Sequence, residues 1–190
     1  QEAARKLRFA AQRTMRAAQR LYENGFITYM RTDSTTLSNE ALAAARSLIA
    51  REYGKENLSP EARVYATKVK NAQEAHEAIR PAGAAFLAPR DLPSEMGEDE
   101  RRVYELVWRR TVASQMVDAR GDRTSVLVAI DDATFQTGGK TIEVPGFRLA
   151  YVEDDAEDAE AAARESERVL PPMTPGQALG VERLDAAGDR

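Results

Sequence analysis

Cysteine is absent from this chain, histidine occurs once and tryptophan once among 190 residues. The missing thiols exclude disulfides and thiolate zinc sites, which suits a reducing compartment. No apolar run approaches the roughly 20 residues that a membrane-spanning helix needs. The N-terminal stretch is charged and helical in pattern rather than signal-like. These absences lead to the expectation of a soluble cytoplasmic protein that spans no membrane. What remains is ample for a core: hydrophobic residues make up 43%, enough for one good-sized domain or two small ones.

Charge is unevenly spread. Residues 1–90 hold 15 Lys and Arg against 9 Asp and Glu, whereas residues 91–190 hold 12 against 22. A basic first half suits a polyanion, because lysine and arginine supply the salt-dependent, sequence-independent part of nucleic-acid affinity. An acidic second half would be repelled by DNA. Moderate charge asymmetry is also common in proteins that bind no nucleic acid, so charge alone leaves both readings open.

Periodicity predicts helices first and strands later, an α+β chain with a mainly helical domain over 1–120 and a small antiparallel β segment over 121–190. Leu7, Ala11, Met15, Ala18, Leu21 and Tyr22 recur at helical spacing, and Gly25 ends that helix. Phe9, Arg13, Arg16 and Arg20 form a second stripe on it, a basic face with one aromatic that is either solvated or set against a DNA backbone. Ser38 is a candidate N-cap for a helix running to about Tyr53, before Gly54. Ser59-Pro60-Glu61 reads as another helix start. A long helix from about Glu98 to Asp118 carries a broad apolar face that places Trp108 in the core. After Gly121 the pattern turns to strands, with Gly138-Gly139-Lys140 read as a hairpin turn and a last strand-like run at Ala178–Leu184. The acidic, alanine-rich stretch from Glu153 to Glu167 reads as a solvated loop. There is no internal repeat.

Two short runs carry chemistry. In Ile27-Thr28-Tyr29-Met30-Arg31-Thr32-Asp33-Ser34 a tyrosine and an arginine sit among hydroxyls directly after a helix end. A phenol with its ordinary pKa of about 10 needs a nearby cation or base to act as a nucleophile at neutral pH. Arg31 can supply the cation, and its guanidinium can also fork onto two phosphate oxygens, although a tyrosine flanked by small polar residues also reads as an ordinary strand or loop residue. Thr32, Asp33 and Ser34 are suited equally to forming the turn or to touching a phosphate. The second run, Ala72 to Pro81, holds the single histidine, His76, which by itself reads as a structural hydrogen-bonding group as readily as a catalytic one. Three superficial matches fail. Gly139-Lys140-Thr141 lacks the upstream glycine of a phosphate loop, His76-Glu77-Ala78-Ile79-Arg80 lacks the second histidine of a zinc protease, and the acids at 153–158 lack a rigid frame for Mg²⁺.

Together, ITYMRTDSTTLS at residues 27–38 and QEAHEAIRP at residues 73–81 resemble the bacterial type IA DNA topoisomerases, and the opening QEAARKL fits the start of their active-site domain. The likeness is densest over residues 1–81 and looser to about Leu184. It implies that Tyr29 attacks one strand of single-stranded DNA, forms a 5′-phosphotyrosine link and later reseals it, so that negative supercoils relax without ATP. Arg31 would stabilise the transition state, and His76 would bind phosphate or manage protons near the nucleophile. Thr28, Thr32, Asp33, Ser34 and Arg80, with Arg13, Arg16 and Arg20, would lie along the DNA, Arg80 serving equally well to hold its own helix. Residues 1–120 would be the tyrosine-bearing domain of a ring-shaped enzyme. Residues 121–190 would be the second segment of a β domain whose hinge-like motion opens the gate.

Nothing in these residues matches the family's Toprim domain. Mg²⁺ is therefore expected only in the full-length enzyme, through that domain, with no cofactor here. The remaining domains of the same enzyme become partners, as does single-stranded DNA, at the nucleoid. This stretch alone would be inactive, and any zinc-ribbon tail would lie elsewhere. Met30 stands where other type IA branches often have proline, which fits the bacterial topoisomerase I branch. Two other classes compete. Tyrosine recombinases and type IB enzymes place the tyrosine after its His and Arg partners, opposite to the order here. A noncatalytic single-strand-binding module would use Tyr29 and Phe9 to stack bases.

Overall fold

The computed structural model describes residues 1–65, 77–151 and 170–180. Among these residues four α-helices are followed by one hairpin: α1 Glu2–Leu7, α2 Ala11–Glu23, α3 Asn39–Glu52, α4 Glu98–Ala113, β1 Arg120–Ile130 and β2 Ala133–Val144. The α+β expectation holds. His76, the acidic stretch at 153–167 and the second half of the expected strand at 178–184 lie outside the described residues; Ala178–Gly180 is not a strand.

One helix was expected across residues 7–22, and two form. Arg8 takes a left-handed φ of 56° between α1 and α2, at a cost of about 1–2 kcal/mol for a residue with a Cβ. The break drops Phe9 into the core at 2% exposure, and burying a phenylalanine gains roughly 1.5–3 kcal/mol. Burial therefore sets the geometry, and Phe9 is not part of an outward basic stripe. On α2 the buried face is Ala17, Ala18 and Leu21, while Met15 and Tyr22 of the expected apolar stripe stand in solvent.

Helix α3 follows its local signals. The Ser38 side chain accepts from the Ala41 N–H at 3.2 Å as N-cap, and Gly54 turns the chain at φ 89°. Ser59, by contrast, caps nothing. Its backbone N–H donates to the Gln115 carbonyl at 3.1 Å, and its hydroxyl lies 2.7 Å from the Glu61 carbonyl and 2.9 Å from that of Gln115. An N-cap hydroxyl must accept from the first helical turn; this one accepts from the Arg46 guanidinium at 3.1 Å instead, and the described residues after it, 60–65, form no helix. The same zipper shortens α4 at its C-terminal end. Met116 bridges Leu58, and the fully buried Gln115 pairs its amide with both backbone groups of Arg63. Trp108 is core, as its place on the apolar face implied.

The hairpin turns at Asp131-Asp132 rather than at Gly138-Gly139. Ile130 pairs with Ala133 across this two-residue loop, and Asp131 takes φ 53°, a conformation that aspartate tolerates better than most residues. Gly138 and Gly139 instead lie within β2, opposite Ser125 and Thr124. Both ends of the ribbon are anchored beside α4. Phe147 N–H bonds the Val117 carbonyl at 2.9 Å, and Gly146 passes so close to Asp118 that a Cβ would sit 2.5 Å from its carbonyl oxygen. A short 3₁₀ turn, Gly146–Leu149, then returns Tyr151 to α1. There its hydroxyl donates to Glu2 and its ring lies under Lys6.

Candidate active site

Tyr29 is presented by a sequence of local fixings. Helix α2 ends with two bonds, Gly25 N–H to the Tyr22 carbonyl at 2.9 Å and Phe26 N–H to the Leu21 carbonyl at 2.8 Å, with Gly25 at φ 74°. This is the paired-bond glycine cap that reverses a chain out of a helix. From there Ile27 forms an antiparallel bridge with Pro81. Ile27 and Met30 are buried at 2% and 8% exposure, while the Tyr29 ring between them is 40% exposed. Two buried anchors thus grip the backbone on either side of a half-exposed ring.

The two motifs are bonded to each other. Thr28 N–H donates to the Arg80 carbonyl at 3.0 Å, its hydroxyl donates to the Ala78 carbonyl at 2.7 Å, and the same oxygen accepts from the Arg80 N–H at 2.9 Å. Ala78 N–H reaches the Thr36 carbonyl at 2.8 Å. Thr28 therefore bolts the tyrosine run to the histidine run, and its hydroxyl is already committed.

Arg80 is 6% exposed. Its guanidinium forks onto Glu77 at 2.9 and 3.0 Å and donates from Nη1 to the carbonyls of Pro81 and Gly83 at 2.9 and 3.0 Å. Glu77 also accepts from the Ser38 N–H at 2.9 Å, so the pair ties this loop to the start of α3. Burial pushes the Glu77 carboxyl up, but the hydrogen bonds from Arg80 and Ser38 outweigh it and hold the group below its ordinary value. The geometry gives Arg80 the holding role. His76, next to Glu77, falls outside the described residues.

Thr32 and Ser34 form the turn. Ser34 N–H donates to the Thr32 hydroxyl at 3.0 Å and Thr36 N–H to the Ser34 hydroxyl at 3.2 Å, the local bonding that hydroxyl side chains favour in loops. With Asp33 they line an open groove of about 940 Å³ beside Tyr65, Arg110 and Tyr151, which Tyr29 and Arg31 do not line. Arg31 and Asp33 are exposed and make no ion pair among the described residues.

The basic stripe of α2 is largely neutralised. Arg13 forks onto Asp99 at 2.8 and 2.7 Å, and Arg20 pairs with Glu100, both acids lying in the first turn of α4. The Arg13 hydrogen bond holds the Asp99 carboxyl below its usual range. Arg16 is exposed without such a partner among the described residues. Phe9 is buried under Arg13, its centroid 4.1 Å from the guanidinium carbon, which removes it as a base-stacking platform. Sequence reasoning did not single out Glu77 and Tyr22. Glu77 lies inside the quoted motif, and Tyr22 was absorbed into an apolar stripe.

A chain with a half-exposed tyrosine on a pinned loop, carried by a helical unit with a β ribbon, has clear relatives. A family model described as DNA topoisomerase matches residues 1–188, and the chain belongs to that family, in its bacterial type IA branch. It is 55% identical over 192 residues to DNA topoisomerase 1 of Mycobacterium leprae, covering 99% of this chain and 20% of that protein, and 50% identical to DNA topoisomerase 1 of a Synechocystis strain, covering 99% and 21%. The chain thus spans about a fifth of the curated relatives it matches. Among solved structures, full-length topoisomerase I from Thermotoga maritima superposes with a TM-score of 0.67 at 33% identity, over 80% of this chain and 25% of that one.

Proposed function

We propose that this chain is the part of a bacterial type IA DNA topoisomerase that carries the nucleophile, with residues 1–120 forming the tyrosine-bearing domain and 121–190 belonging to its β gate domain. The Tyr29 phenol oxygen attacks a backbone phosphorus of one DNA strand. The new Tyr–O–P bond holds the 5′ phosphate, the P–O3′ bond breaks, and the phenol's proton leaves while the 3′ oxygen takes one up. Reversal reseals the strand after the other has passed, so negative supercoils relax without ATP. Arg31 offsets the charge that grows on the phosphate oxygens, and His76, by resemblance, serves the proton transfers. Arg16, Asp33 and Arg31 face the DNA, whereas Thr28 and Arg80 hold the nucleophile's loop.

The observation that carries this reading is the direct bonding of the two motifs, which leaves Tyr29 as the exposed ring of a pinned loop. Among the described residues no three His, Cys, Asp or Glu side chains gather as a metal site. By the resemblance to the family, Mg²⁺ is assigned to the Toprim domain of the whole enzyme, and this stretch alone is expected to be inactive. The partners are single-stranded DNA and the enzyme's other domains, at the cytoplasmic nucleoid.

The test is to trap the whole enzyme on end-labelled single-stranded DNA with Mg²⁺ and map the joined residue and DNA end, with Tyr29→Phe as control. A 5′ link to Tyr29 that Tyr29→Phe abolishes, with DNA binding kept, is the expected result. A 3′ link, or an adduct that persists in Tyr29→Phe, overturns it.

A further inference from the structure

We infer that Tyr22 is a positioning residue for the nucleophile: its ring packs edge-to-face against Tyr29 and fixes the direction in which the phenol points. This rests on the reading of Tyr29 given above. The ring centroids are 5.3 Å apart with planes at 70°, within the favoured geometry for aromatic pairs. Tyr22 is 42% exposed and lies off the buried face of α2, so core packing does not account for an aromatic there. Its backbone, however, is rigidly held, because its carbonyl accepts from Gly25 in the cap that launches the loop. The loop's next anchors are Ile27 and Met30, both buried. With the backbone anchored on both sides, the direction of the Tyr29 phenol is set by the contacts of its side chain, and the Tyr22 ring is one of them.

An in-line attack needs the phenol oxygen in one direction, and a ring contact that favours one staggered well over the others helps to hold it there. An edge-to-face contact favours the paired rotamer by roughly two- to tenfold. Because the contact is made by the ring, the Tyr22 hydroxyl is dispensable.

The experiment uses the whole enzyme, with single-turnover cleavage of an end-labelled single strand at saturating DNA and equilibrium binding of the same strand measured without Mg²⁺. Tyr22→Leu, which keeps the helix and loses the ring, is expected to slow cleavage roughly three- to tenfold with affinity within about twofold, and Tyr22→Phe to restore the rate. Fluorine spectra of 3-fluorotyrosine at position 29 should shift in Tyr22→Leu and return in Tyr22→Phe. Wild-type cleavage with an unchanged fluorine signal in Tyr22→Leu overturns the inference. So does lost affinity with full rate at saturation, which would make Tyr22 a base-stacking platform. Should the parent enzyme form no adduct on Tyr29, the functional reading fails by itself, and the fluorine spectra still decide whether Tyr22 holds the ring.

Discussion

Replacing Thr28 with valine keeps its shape and removes the oxygen that bolts the two motifs together. The hydroxyl donates to the Ala78 carbonyl at 2.7 Å and accepts from the Arg80 N–H at 2.9 Å, and Arg80 is buried. Valine leaves one donor and one acceptor unpaired. With a cost of about 1–3 kcal/mol for an orphaned buried group, moderated for the half-buried carbonyl, the junction loses roughly 2–4 kcal/mol, or about 30- to 1000-fold in local opening. The backbone bond from Thr28 N–H to the Arg80 carbonyl survives, so the loop opens more often without being abolished. Hydrogen exchange followed by mass spectrometry, on peptides covering residues 26–30 and 77–82 of the whole enzyme, reads this directly. Thr28→Ser should retain most protection. If Thr28→Val kept full protection at both segments while single-strand affinity fell, the hydroxyl would belong to the DNA and the bolt would be refuted.

Glu77 gives a pH dependence with a definite sign. Its carboxyl is held below the ordinary value, so its stabilisation is complete above the unfolded carboxylate pKa of about 4.3 and is lost as pH falls through the lower folded value. Exchange protection at residues 77–82, corrected for intrinsic rates, should drop in that acid window, and Glu77→Gln should flatten the profile. On α2, Asp99→Asn should release Arg13 from its fork. Single-strand binding by the whole enzyme would then strengthen, with the log–log salt slope steeper by about 0.7 for the freed charge; an unchanged slope would place Arg13 away from DNA.

Local signals were legible because their partners are local. Gly25, Ser38 and Gly54 act through φ angles and bonds within one turn, and each lies where its sequence context placed it. The Ser59 misreading has the opposite origin. Its cap-like context is real, but its N–H and hydroxyl go to Gln115, brought in by the end of α4. In the hairpin, a glycine pair offered the stronger turn signal, yet the register puts the loop at Asp131-Asp132 and leaves both glycines facing β1. Phe9 was drawn onto the basic stripe because helical periodicity carries no information about a left-handed break at Arg8. At the site, resemblance named Tyr29 and its neighbours, but sequence could not say that Thr28 and Arg80 are joined, nor that Asp99 and Glu100 occupy two of the three arginines on α2.

The bolt at Thr28 joins residues that are 52 positions apart, and closing a loop of that size costs an entropy of roughly 3–4 kcal/mol beyond a constant. During synthesis the ribosome delivers the tyrosine long before it delivers Pro81. A nascent or truncated chain therefore holds Tyr29 on a segment whose Thr28 has no Ala78 or Arg80 to pair against, and the loop becomes rigid only once the later run has folded back onto it. Order of manufacture thus sets the order of fixing: the tyrosine run is made first and is pinned only once the later run is in place.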